Sequence, residues 1–157
     1  RVARAQARLA DHLYRARMIL SQSETVICLW LPSEAFNGTS ASATNYDIIN
    51  ADELRWYVVD RDARTVSVQR LSDTTVRTAY ALTSDWNALR TTYAASGALR
   101  TSVVLEGVLE GAFRYTSFDP CVHRRAVLDV QLDDDHGGLH FELGGILDAL
   151  QKHTSCP

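Results

Sequence analysis

The first thirty residues constrain the fold most, because a helical pattern runs straight into a β pattern with no linker between them. Apolar residues recur at Val2, Ala5, Leu9, Leu13 and Ala16, then at Ile19 or Leu20, the three-to-four spacing of one helical face. Arg1, Arg4, Arg8, Asp11, Arg15 and Arg17 line the other side. No Ser, Thr, Asp or Asn occupies an N-cap position, so the first backbone N–H groups have no local side-chain partner. The spacing predicts a helix over 1–23 with Leu9, Leu13, Ala16 and Leu20 as its packing face. The uncapped start adds the expectation that the helix continues upstream of Arg1. Residues 25–31 (TVICLWL) then read as a strand apolar on both faces, one that is covered on each side and stopped by Pro32.

Beyond a Ser/Thr/Ala/Gly/Asn-rich stretch at 33–45, which reads as a loop, alternation takes over. Leu54, Trp56 and Val58 share one face of a strand at 53–59, and Val66 and Val68 one face of a strand at 64–71. Val76, Tyr80 and Leu82 fall together over 75–82. Leu109, Gly111, Phe113 and Tyr115 do so over 109–118. The cleanest alternation is 125–132, with Ala126, Leu128, Val130 and Leu132 set against Arg125, Asp129 and Gln131. A last strand is expected at 139–143 after the turn 133–138 (DDDHGG), while 84–92 (SDWNALRTT) fits either a short helix or a loop. The implied plan is α+β: a long N-terminal amphipathic helix packed on six to eight antiparallel strands. It forms one domain over 1–157, with the helix at 1–23 and a β-rich head at 24–157.

Composition narrows the function classes. With 46% hydrophobic and 22% charged residues, the chain is globular, and at 157 residues it holds one domain with a real core. The net charge of −3 supplies no overall positive field, so nucleic acid is not expected as the main partner. The arginines at 1, 4, 8, 15 and 17 read first as a solvated helix face. No run of eighteen apolar residues offers a membrane span. Of the three cysteines, Cys28 lies in the apolar strand, whereas Cys121 follows Pro120 in a polar stretch and Cys156 lies on the C-terminal tail. A Cys121–Cys156 disulfide is favoured, because both members lie outside regular strands and can adjust to disulfide geometry. The competing pair is Cys28–Cys121. Either bridge implies an oxidising compartment.

Candidate chemistry is sparse. Asp133, Asp134, Asp135 and His136 offer oxygen ligands for Ca²⁺, but adjacent turn residues point in different directions, and a solvated hairpin tip is the simpler reading. His136 and His140 do not share a helix face that would bring them onto zinc. The sequence holds no G-x-S-x-G elbow, phosphate-binding loop or CxxC pair, and a thiolate at Cys28 is disfavoured by its apolar strand. Glu106 and Glu110 flank a short stretch without an evident cleft. No catalytic constellation emerges and no cofactor or metal is expected. Asn37-Gly38-Thr39 matches the N-glycosylation sequon, yet Asn-Gly is also a common turn pair.

The order of these segments resembles the type IV pilin superfamily, and within it the J-type minor pseudopilins of type II secretion and the W-type minor pilins. The residues carrying the resemblance are 8–17 (RLADHLYRAR), 52–59 (DELRWYVV), 76–82 (VRTAYAL), 104–115 (VLEGVLEGAFRY) and 126–132 (AVLDVQL). The resemblance implies a structural rather than enzymatic role: a minor subunit near the tip of a pilus or pseudopilus, priming fibre assembly with other minor pilins or pseudopilins. It also implies an upstream apolar half-helix that anchors the subunit in the bacterial inner membrane, with the head in the periplasm or at a cell-surface fibre tip. A membrane-tethered periplasmic or extracellular ligand-binding or sensor domain shares the same pattern and is the alternative.

Overall fold

The amphipathic stripe forms helix α1 over Val2–Arg15, and its apolar side is buried at Ala5, Leu9 and Leu13. The computed structural model describes residues 1–32, 48–73, 75–76, 78–117, 123–134 and 138–148. After α1 come β1 (Met18–Gln22), β2 (Val26–Trp30), β3 (Ile48–Asn50), a 3₁₀ turn (Ala51–Glu53), β4 (Leu54–Asp60) and β5 (Thr65–Leu71). They are followed by β6 (Ala79–Ala81), α2 (Trp86–Ala95), β7 (Leu99–Glu106), β8 (Val108–Ser117), β9 (His123–Leu132) and β10 (Leu139–Asp148). A central five-stranded sheet has the order β1-β2-β4-β5-β7, a second sheet the order β10-β9-β8, and β3 pairs with β6. All these pairings are antiparallel. The fold is α+β, with α1 packed on antiparallel sheets.

The helix expected over 1–23 ends eight residues early. Ala16 is already extended (ψ 137°), its N–H bonds back to His12 O at 2.8 Å, and Arg17 N–H turns to Trp30 O at 2.7 Å. Residues 18–22 gain a strand partner in β2, which satisfies backbone groups that a longer helix would leave bare along the sheet edge. Leu20 therefore does not belong to the helix packing face. Strand alternation sends Ile19 into the core beside α1 and turns Met18 and Leu20 to the opposite side of the sheet.

The central sheet is buried on both faces, as the doubly apolar β2 demands: all five of its residues are buried. Ile27 and Leu29 join Tyr57, Val59, Val66, Val68 and Leu105 in an aliphatic core shared with α1 and the second sheet. Val26, Cys28 and Trp30 face the other way, into a cluster with Ile49, Leu54, Trp56 and Trp86 under α2 and the β3–β6 pair. The ambiguous stretch 84–92 is helical because Asp85 caps it, its Oδ1 accepting from Asn87 N at 3.1 Å and Ala88 N at 2.9 Å. Over 75–82 the strand shrinks to Ala79–Ala81.

Two features of the second sheet depart from simple alternation. Gly107 turns the chain from β7 into β8 with φ +74°, a conformation that favours glycine. Immediately after it the register shifts between Val108 and Glu110, so Val108 is fully buried and Leu109 is 41% exposed. Leu109 thus leaves the face on which the alternation had placed it with Gly111 and Phe113. On β9 the buried face is as expected, at Ala126, Leu128, Val130 and Leu132, but Asp129 on the outer face is also buried, at 7% exposure.

Candidate functional site

Three of the four expected packing residues, Leu9, Leu13 and Ala16, are buried at 3%, 0% and 1% exposure. The helix is also joined to the second sheet by a polar clamp that the sequence did not announce. Gln6 Nε2 donates to Gly144 O at 2.7 Å, and Gly144 N–H donates to Gln6 Oε1 at 3.1 Å. One side-chain amide thereby pairs with the outer edge of β10 as a neighbouring strand would. Gly145 lets the helix come close, since a side chain there would meet Ala10 Cα at 3.2 Å. On the opposite flank, the Tyr57 hydroxyl meets His12 Nδ1 at 2.7 Å. Burial, reinforced by Arg55 and Arg8, pushes the His12 pKa from 6.5 down to about 4, so the imidazole is neutral near pH 7 and shares one hydrogen bond with the Tyr57 hydroxyl, which also lies 3.5 Å from Arg8 O.

The outer face of the second sheet carries a polar groove of about 570 Å³, lined by Glu24, Arg61, Glu110, Asp129, Gln131 and His140 among others. Antiparallel register places Asp129 opposite Ala112 on one side and Glu142 on the other, with Arg114 and His140 on the diagonals. Arg114 pairs with Asp129 Oδ2, and His140 Nε2 lies 2.6 Å from Asp129 Oδ1. The second contact is a close approach rather than an aligned hydrogen bond, since Oδ1 has no geometrically acceptable donor. These two side chains cover the carboxylate, which explains why an outward-facing Asp is buried. Arg61 closes one side of the groove, with its guanidinium 3.3 Å from Glu24 Oε2 and 3.5 Å from Gly111 O. The groove is the size of a small-molecule site. No Ser, Thr or Cys lines it among the described residues.

A second groove, of about 620 Å³, lies between the start of α1 and β7 and is lined by Arg1, Arg4, Arg8, Val103, Val104 and Glu106. Gly107, whose positive φ favours glycine, lies beside the Arg1 guanidinium at the end of β7. The arginine face of α1 is therefore a groove wall as well as a solvated surface.

The remaining candidates are dispersed. Asp133 Oδ2 accepts from Arg64 at 2.6 Å, and Asp134 Oδ1 accepts from Gly138 N–H at 2.8 Å, so the two carboxylates are engaged with different partners. Asp135 and His136 lie outside the described residues, as do the sequon at 37–39, Cys121 and Cys156. Glu106 and Glu110 line different grooves. Cys28 is a free, buried cysteine whose thiol pKa is raised by burial, the opposite of what a nucleophile needs. Among the described residues no group of three or more His, Cys, Asp and Glu could hold a metal ion, and no helix is long and apolar enough to cross a membrane. The Asp129 cluster was missed because its members lie on three strands. Its one trace in the sequence is the Asp at the centre of a strand otherwise rich in β-branched and aliphatic residues. Comparison with protein-family models, curated proteins and solved structures finds no match to this chain.

Proposed function

We propose that this chain is the head of a structural fibre subunit of the minor pilin or pseudopilin kind, acting at the tip of a type IV pilus or type II secretion pseudopilus. The observation that carries the reading is how α1 is joined to the head. Its apolar stripe is buried in the core common to both sheets, while Gln6 is hydrogen-bonded to the backbone of β10. A subunit hauled through a fibre by its helix needs such a joint, because force on the helix must reach the sheets without peeling it away. On this reading the neighbours are other minor subunits, and an apolar continuation of the helix anchors the protein in the inner membrane before assembly.

The polar groove around Asp129 and His140 favours a second reading, a membrane-tethered periplasmic or extracellular domain that binds a small ligand. One experiment separates the two. The sequence encoded upstream of Arg1 is read, and the tagged full-length protein is followed through cell fractionation. A short basic leader with a peptidase site and an apolar half-helix, together with recovery in sheared fibres or in complex with minor subunits, supports the fibre reading. A polar upstream segment or another globular domain sinks it. A plain transmembrane span without a leader-peptidase site, and no fibre fraction, transfers the assignment to the tethered sensor.

A further inference from the structure

We propose that the groove between α1 and β7 docks an acidic, extended peptide segment of a partner protein, with Arg1, Arg4 and Arg8 reading its carboxylates and Val103 receiving an apolar side chain between them. This holds for a fibre subunit and a tethered domain alike, so it does not rest on the preceding assignment.

The first argument is charge. Arg1, Arg4 and Arg8 line one groove, and none of them has a carboxylate partner among the described residues. The nearest acidic residue along the helix, Asp11, pairs with Arg15 instead. Three cations gathered on one wall repel one another, and Glu106, the one carboxylate in the lining, leaves the groove with an excess of positive charge. A ligand carrying negative charge offsets it.

The second argument is spacing. Residues three and four apart on a helix rise by about 4.5 and 6 Å, and same-face side chains of an extended peptide recur about every 6.7 Å. Long guanidinium arms absorb the difference, and each can take a carboxylate in a two-point grip.

The third argument separates peptide from phosphate polymer. Val103 is 51% exposed and Val104 is half-buried against the core. An apolar floor suits a segment that alternates acidic and apolar side chains. It gives a phosphodiester chain or a headgroup layer nothing to match.

The test is fluorescence anisotropy on the folded chain with a labelled peptide of alternating Glu and Val, a Lys/Val counterpart, a dT oligonucleotide, and vesicles containing phosphatidylglycerol. The Glu/Val peptide is expected to bind and the Lys/Val peptide not to. The double variant R4E/R8E should weaken binding by at least about tenfold, and Val103→Asp by several-fold. These side chains lie in an exposed groove, and unchanged melting curves for the variants certify that they are folded. Absence of Glu/Val binding, or equal binding by R4E/R8E, overturns the proposal. Preference for the oligonucleotide or the vesicles overturns it in favour of a phosphate-binding surface.

Discussion

The two faces of the central sheet solve the same burial problem with different chemistry. On one face α1 and the second sheet supply mainly aliphatic side chains, from Leu9 and Leu13 to Leu128 and Leu132, with the Tyr57 hydroxyl bonded to His12 at the seam. On the other face the cover is small, made of α2 and the β3–β6 pair, and the volume is filled by Trp30, Trp56 and Trp86. Indoles bring N–H groups with them, and each needs an acceptor once buried. Trp56 Nε1 donates to Trp86 O at 3.1 Å, and Trp30 Nε1 donates to Glu53 Oε2 at 3.0 Å. That second bond places a carboxylate in the interior, at 1% exposure, where it also accepts from Asn50 N–H at 3.1 Å. The aliphatic face tolerates small shifts of packing. The tryptophan face depends on hydrogen bonds whose geometry must be kept.

Substitutions separate the two. Trp56→Ala should have the largest effect, about 4 kcal/mol by chemical denaturation, because it removes a fully buried indole and frees the Trp86 carbonyl. Leu13→Ala, at 0% exposure under α1, should cost about 3 kcal/mol, a pure cavity effect with no polar component. If Leu13→Ala proved the costlier, the tryptophan face would be a loosely attached cap and the contrast would collapse.

A pH series probes the seam between α1 and the sheet. Because the folded His12 pKa lies near 4 and its ordinary value is 6.5, the unfolded chain binds the extra proton first. Stability from this residue is complete above about pH 6.5 and is lost as pH falls toward 4, by about 1–2 kcal/mol once solvent screening of this partly exposed group is allowed for. The His12→Asn variant should lack that slope. Parallel curves for the two proteins in urea titrations between pH 7 and pH 4 would remove His12 from the seam.

Glu53→Ala should cost about 2 kcal/mol, since two buried N–H groups lose their acceptor, and Glu53→Gln should recover most of the loss. Equal losses would mean that charge rather than hydrogen bonding matters there. Arg15→Ala should change stability by less than about 0.5 kcal/mol, its ion pair with Asp11 being 3.5 Å long and half exposed. A cost comparable to that of Leu13→Ala would mean the faces of α1 are misassigned.

Much of the fold was legible in the sequence where burial is regular. The strands at Val26–Trp30, Leu54–Asp60, Thr65–Leu71 and His123–Leu132 follow from alternation or doubly apolar runs. The apolar stripe of α1 follows from its three-to-four spacing, since one-sided burial forces a period that local sequence must carry. What escaped were elements whose residues do not alternate cleanly. β1 continued the helical spacing, β3 spans only three residues, and β7 has exposed residues at Arg100, Thr101 and Val103 on an outer strand.

By itself, then, the sequence determined an N-terminal amphipathic helix followed by antiparallel strands, and a β2 strand that must be covered on both sides. Apolar side chains must leave water whatever they end up touching, so the pattern of burial is written locally. Only the tertiary structure decided that α1 stops at Arg15, that Gln6 closes the edge of β10, and that Asp129 meets Arg114 and His140. It alone brought the α1 arginines beside Val103. Each of these is a choice of partner between residues far apart in the chain. Hydrogen bonds and ion pairs are directional and short-ranged, and periodicity along the chain carries no information about them.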